Sequence, residues 1–204
     1  MRFNTLTGPC ILSIVLGASP LNMVAQPVPL VAVRPMTKSF HQRITPLADL
    51  LSKGEGNWNS VNRGYAGDTP GGIKSITGKN FDQMTIAQVM RLQRHSIFAV
   101  GRYQFIPATL RSVYLRAGLS LRDRFTPENQ NKLLAALLEH KRPAVANYIK
   151  GEHNDLGRAL DALAKEWASV EYRNGRGYYD SVGGNRAHVT RSEAAIAMNA
   201  ARAV

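Results

Sequence analysis

Residues 54–64 read Gly-Glu-Gly-Asn-Trp-Asn-Ser-Val-Asn-Arg-Gly, a lone glutamate held between two glycines just ahead of an asparagine-rich turn. Upstream, Thr45-Pro46-Leu47-Ala48-Asp49-Leu50-Leu51 offers a capping threonine, a proline at the first helical position and leucines at i, i+3 and i+4. Together these predict a short helix with one apolar face. Helical spacing puts Glu55 in line with Leu47 and Leu51, on the apolar side and at the negative end of the helix dipole. Both surroundings disfavour a charged carboxylate, so Glu55 is expected to keep its proton toward neutrality and to act as a general acid. The same residues also allow an ordinary solvated glutamate at a frayed helix end.

Downstream, stop and start signals divide the chain into further helices, and the fold class they indicate is α+β, predominantly α-helical. Thr85 caps a helix burying Ile86, Val89 and Met90. Pro107 opens one with Leu110, Val113 and Tyr114 that stops at Gly118. Thr126-Pro127 opens the strongest apolar pattern in the chain, with Leu133, Leu134, Leu137 and Leu138. Pro143 to Ile149 is a short helix closed by Gly151. Asp155 caps the next, with Leu156, Leu160, Leu163 and Trp167 in register, and Ser192 begins an alanine-rich helix. Trp167 at this spacing reads as core more readily than as a ligand platform. The excursion 57–82 is rich in Gly, Asp, Asn and Thr and is long for a plain connection, which suits a binding loop or a small two-stranded β-flap. A second such stretch, 170–190, carries Tyr172, Tyr178 and Tyr179.

With 204 residues, 44% hydrophobic, the chain suits one compact catalytic domain at 39–204. Arg2 is the only charge in the first 33 residues, and the apolar run Cys10 to Ala18 is too short for a comfortable membrane span. Residues 1–25 therefore read as a signal peptide and 26–38 as a Pro-rich linker. Export to a periplasmic or extracellular space is the expectation, with an uncleaved N-terminal anchor as the alternative. Cys10 is the only cysteine and falls within the signal, which leaves the mature chain without a disulfide. Lys and Arg outnumber Asp and Glu by 26 to 14, a formal charge of +12 that favours polyanions in general. The basic residues are scattered, without zinc-finger spacing or an aromatic-rich RNA motif, and no nucleic-acid partner is expected.

Gly101-Arg102-Tyr103-Gln104-Phe105-Ile106-Pro107-Ala108-Thr109-Leu110 sets an aromatic and an amide just before a helix. Tyr103 can stack on a sugar ring while Gln104 donates and accepts to an N-acetyl group; alternatively the pair only ties down a loop. The order of elements is more specific. A helix-terminal Glu55-Gly56-Asn57, an asparagine-rich loop, the Gly-x-Tyr-Gln-x-x-Pro-x-Thr-Leu element, and Trp167-Ala168-Ser169 before a Gly- and Tyr-rich loop together resemble the lysozyme superfamily. Within it, the likeness is to endolysins of the phage lambda type and to lytic transglycosylases, over roughly residues 43–182.

That resemblance implies a lysozyme-like fold and cleavage of peptidoglycan glycan strands, with Glu55 as the single catalytic acid/base. Asn59, Asn62, Tyr103, Gln104, Ser169, Tyr178 and Tyr179 are then the substrate-binding candidates. It implies no cofactor, a monomer, and at most transient contact with envelope or secretion machinery. The chain departs from many lytic transglycosylases, which have Glu-Ser-Gly where it has Glu55-Gly56-Asn57, and it lacks their Tyr-Asn-Ala-Gly motif. A hydrolytic glycosidase normally needs two carboxyls, whereas a transglycosylase needs one. Asp68 is the candidate second carboxylate, and with it the enzyme would be a hydrolytic muramidase. A non-catalytic peptidoglycan-binding module is the remaining alternative. The histidines show no metal-ligand spacing, so no metal is expected. Gly67 to Ser75 lacks the spacing and preceding strand of a phosphate loop, and no serine sits in a nucleophile elbow.

Overall fold

A proline or a capping side chain opens most of the helices. The computed structural model describes residues 38–65, 67–180 and 185–203. The expected signal peptide and all of the linker but Lys38 lie outside these residues. Helix α1 (Phe40–Arg43) runs into α2 (Thr45–Glu55); α3 (Gly72–Thr77), α4 (Ile86–Gln93), α5 (Pro107–Val113), α6 (Pro127–Lys141), α7 (Pro143–Lys150), α8 (Leu156–Ala164) and α9 (Arg191–Arg202) follow. The described strands form two antiparallel pairs, β1 (Val61–Asn62) with β2 (Ala99–Val100) and β3 (Glu171–Arg173) with β4 (Arg176–Gly177). The described chain is thus a mostly helical α+β protein. None of its helices is long and apolar enough to cross a membrane.

Thr85, Thr126 and Asp155 cap α4, α6 and α8 through side-chain oxygens that accept from the amides of Gln88, Asn129 and Arg158. Two expected starts move. Thr45 is the first residue of α2 rather than its cap, and its hydroxyl donates back to the Gln42 carbonyl at 2.8 Å because α1 leads directly into the helix. Thr190, not Ser192, caps α9, exchanging hydrogen bonds with Glu193. Helix α5 ends at Val113, and single turns carry the chain on to Gly118. The excursion 57–82 is not a flap closed on itself. Its strand β1 pairs across to β2, and α3 fills the stretch read as turns, with Gly71 and Gly78 in the left-handed region at its two ends.

Helix α6 buries Leu133, Leu134, Ala135, Ala136, Leu137 and Leu138 in succession, so it is apolar on nearly every side. Such a helix must be wrapped; α1, α5 and α7 pack on it. Each fully buried leucine contributes about 1.5–3 kcal/mol of transfer free energy before entropy is counted. Trp167 is buried, as its spacing suggests, and its Nε1 donates to the Tyr103 carbonyl at 3.1 Å. Helix α2 lays its apolar side against α9, whose Ala194, Ala197, Met198 and Ala201 are buried. That face carries Leu47, Leu50 and Leu51 and leads to Glu55.

Candidate active site

Glu55 is the last residue of α2, and the two glycines beside it do different things. Gly54 keeps a helical conformation, but a Cβ there would lie 2.5 Å from the Ser169 Cβ and 2.8 Å from its Oγ. Its lack of a side chain lets Ser169 reach the helix end. Gly56 has φ 135° and ψ −160°, a conformation essentially confined to glycine, and it turns the chain sharply out of the helix into the Asn57 loop.

Through the gap at Gly54, Ser169 Oγ donates a 2.5 Å hydrogen bond to Glu55 Oε1. The Glu55 carboxyl is closely surrounded by protein although the residue keeps some open surface. Burial raises its pKa above the ordinary 4.5, and the bond from Ser169, which favours the charged form, opposes that only in part. Burial is therefore the leading cause of the shift anticipated from the apolar face. Ser169 thus holds the carboxyl through its hydroxyl on Oε1 and also through its backbone. Ser169→Ala should raise the Glu55 pKa further and leave the carboxyl free to turn. The expected result is a loss of rate of about tenfold or more together with an alkaline limb of the pH–rate profile moved to higher pH. An unmoved limb would show that Ser169 only fills space.

Glu55 opens on a cavity of about 600 Å³. Its walls are the end of α2, the loop from Asn57 to Asn62, the glycine turn around Gly67 and Gly71, Lys74 of α3, Asn80, and Gln104. Among the described lining residues Glu55 is the only acid and Lys74 the only base. Asn59 lines this cavity but has a structural role too. Its Oδ1 accepts from the Phe81 amide at 2.9 Å and its carbonyl from the Ile73 amide at 2.9 Å, tying the loop to α3. Asn62 Nδ2 donates to Gln104 Oε1 at 3.0 Å, while Asn62 Oδ1 is buried with no donor among the described residues. Gln104 sits at φ 48°, unusual for a residue with a side chain, and its Nε2 donates to the Gly101 carbonyl at 2.8 Å. Asn59, Asn62 and Gln104 thus meet Glu55 at one cavity.

Tyr103 does not. It is 1% exposed, its ring packed edge-on against Trp58 and Phe105 and its hydroxyl donating to Asn131. Burial pushes that hydroxyl up to about 12, so Tyr103 stays a neutral donor inside the wall. The left-handed turn at Gln104 sends the amide to the cavity and the preceding ring into the core. Trp58, not Tyr103, is the aromatic ring at this cavity. It is half-buried, lines the cavity, and has the Arg102 guanidinium 4.5 Å over its ring. Arg102 in turn bonds Asp49 Oδ1 at 2.7 Å and Ser52 Oγ at 3.1 Å on α2. Being the only aromatic residue in 54–64, Trp58 could have been singled out from sequence. Gln130, fully buried, fixes it from below, donating to the Trp58 carbonyl at 3.1 Å and accepting from the Arg102 amide at 2.9 Å.

Asp68 is not among the residues lining this cavity. Its carboxylate accepts from the amides of Arg63 and Tyr65 and from Thr69 Oγ1, at 2.8–3.1 Å, and so knots the turn 63–69. Desolvation pushes its pKa up, but the hydrogen bonds from Thr69, Tyr65 and Arg63 and the Arg63 charge outweigh it and hold Asp68 below the usual value. Tyr178 and Tyr179 also fall outside the Glu55 cavity. They form an edge-on series with Tyr172; Tyr178 is exposed, and Tyr179 donates to the Lys165 carbonyl at 3.0 Å.

A larger cavity, about 850 Å³, lies between the starts of α7 and α8 and the β3–β4 turn. Its basic residues are largely committed. Lys141 and Arg142 both pair with Glu166 at 2.7 Å, and Arg173 and Arg191 pair with Asp161. Burial pushes Asp161 up, yet the two arginines outweigh that and keep it an ordinary charged carboxylate. Asp161 is thus held in its charged form whereas Glu55 is pushed toward its protonated one, so the smaller cavity is the chemical candidate. No group of His, Cys, Asp and Glu among the described residues is arranged to hold a metal. Comparison with protein-family models, curated proteins and solved structures finds no match to this chain.

Proposed function

We propose that this chain is a peptidoglycan-cleaving enzyme of lysozyme-like fold, and that its chemistry is that of a lytic transglycosylase acting through Glu55 alone. The observation that carries this reading is one buried carboxyl of raised pKa, oriented by Ser169, as the only acid among the described residues that line its cavity. The sequence order described above supplies the substrate class.

In this reading the glycosidic oxygen between N-acetylmuramic acid and N-acetylglucosamine takes the proton from the Glu55 carboxyl as its bond to C1 breaks. The Glu55 carboxylate then accepts the muramyl 6-hydroxyl proton, O6 bonds to C1, and a 1,6-anhydro end is left. Glu55 finishes protonated, ready for the next bond, and no water enters. Gln104 Oε1 keeps a lone pair and Asn62 Nδ2 a second N–H beyond the bond they share, one acceptor and one donor for an N-acetyl group, and the Trp58 ring offers an apolar face to a sugar. Hydrolysis with Asp68 as partner is less well supported, because Asp68 lies off the cavity with its oxygens taken up by the turn.

Digestion of purified sacculi with mass spectrometry of the soluble products tests this reading. Anhydro ends are the expected result; reducing ends would replace the lyase with a hydrolase, and no soluble product would leave only a binding module. Because Glu55 acts protonated, kcat/KM should fall as pH rises through its pKa in the free enzyme, at a pH above the ordinary glutamate value of 4.5. A limb at or below that value would remove the buried acid from the mechanism.

A further inference from the structure

Lys74 is the only base among the described residues lining the Glu55 cavity, and it has no acid partner there besides Glu55 itself. No ion pair or side-chain hydrogen bond engages it among the described residues. Nor does its charge enter among the causes of the Glu55 shift, which are burial and Ser169. Lys74 is thus an exposed residue of the cavity lining that leaves the acid unneutralised.

Its root is fixed. The Ile73 amide donates to the Asn59 carbonyl at 2.9 Å, and Gly72 lies so close to that carbonyl that a Cβ could not be accommodated. Ile73 itself is fully buried. Helix α3 is thus pinned to the cavity wall on the residues immediately before Lys74, and only the lysine stem can move. Lys141, Lys150 and Lys132 each sit within 2.8 Å of a carboxylate, whereas Lys74 is the one lysine that lines the Glu55 cavity among the described residues. A lone cation beside an acid that must stay uncharged is suited to an anion that arrives with the ligand.

We infer that Lys74 is a specificity residue that pairs with a carboxylate carried by the glycan, the lactyl or stem-peptide carboxylate of a muramic acid residue. This rests on the glycan-cleaving reading. It adds that the site distinguishes charged wall glycan from uncharged polymers of N-acetylglucosamine. Lys74 is a positioning residue: it holds the charged sugar at one place along the cavity and leaves the proton transfers to Glu55.

The test uses the full chain carrying Glu55→Gln, so that ligands are bound without turnover, and compares it with versions also carrying Lys74→Glu or Lys74→Arg. Calorimetry with soluble alternating N-acetylglucosamine–N-acetylmuramic acid oligomers, with the same oligomers amidated at the carboxylate, and with N-acetylglucosamine oligomers reads the preference directly. With Lys74 present, the carboxylated oligomer should bind about tenfold more tightly than its amidated form, less so at high salt. Lys74→Glu should abolish or reverse that ratio and Lys74→Arg should restore it. An unchanged ratio in Lys74→Glu, with glycan binding intact, overturns the Lys74 assignment and leaves the function standing. Absence of binding to every oligomer, together with wild-type protein that releases nothing from sacculi, overturns the glycan reading and this one with it.

Discussion

Glu55→Gln should lower release of soluble fragments from sacculi by at least about a hundredfold, up to about ten-thousandfold, the range over which a positioned general acid contributes. The amide keeps the shape and still accepts from Ser169 Oγ, so the loss would be chemical and not structural. Stability supplies an independent check with a definite sign. The folded pKa of Glu55 is raised above its unfolded value, so the native state binds this proton more tightly than the unfolded chain does. Its contribution to stability is fully present below the unfolded value and is lost as pH rises through the folded one. Glutamine has no proton to lose. The variant should therefore gain in Tm over wild type as pH is raised past the ordinary glutamate range, with the gap closing in acid. A variant that is inactive yet shows no such gap would mean that Glu55 is not a buried acid.

Gly54→Ala should have the second-largest effect. Alanine is favoured by up to about 1 kcal/mol over glycine within a helix, yet its methyl would stand 2.5 Å from the Ser169 Cβ. Overpacking of this kind costs about 1–3 kcal/mol, and the backbone carrying Ser169 is held by its carbonyl, which accepts from the His188 and Val189 amides at 2.7 and 2.9 Å. The displaced hydroxyl would lose its bond to Glu55, and activity should fall at least as far as in Ser169→Ala. Adding Ser169→Gly to Gly54→Ala makes room again. Thermal melts should then recover while turnover stays low, because the hydroxyl that orients the acid is still missing. Recovery of both would show that Ser169 contributes bulk alone.

Much of this was legible in the residues before any coordinates. The leucine run of α6, the threonine caps of α4 and α6, the glycine closing α7 and the burial of Trp167 all follow from local patterning, because the signals sit within a turn or two of what they control. The placement of Glu55 against an apolar face was legible for the same reason. What sequence missed depends on contacts between distant residues. Tyr103 lies in the core while the next residue, Gln104, reaches the cavity from a left-handed backbone, and nothing local in Tyr103-Gln104-Phe105 announces that conformation. The pairing of Val61-Asn62 with Ala99-Val100 bridges nearly forty residues, so the loop looked like a flap folded on itself. Helix α3 was hidden by the glycines that permit its two ends. Asp68 looked available because its spacing showed no partner; the turn that occupies it is formed by backbone amides, which every residue has.

The packing of α2 on α9 sets an order of events in building the acid. The apolar flank of the helix ending in Glu55 is covered by alanines and a methionine more than 130 residues further along, at 194–201. Arg43, just ahead of that helix, donates to the Ile149 and Arg202 carbonyls, and Arg202 donates onward to those of Tyr148 and His153. Contacts of such sequence separation are closed late, since their loop entropy is met before they repay it. During synthesis, an emerging chain can wind α6 and α7 well before it can shelter α2. The cover over the apolar flank that leads to Glu55 is thus completed only after residues 194–201 have emerged.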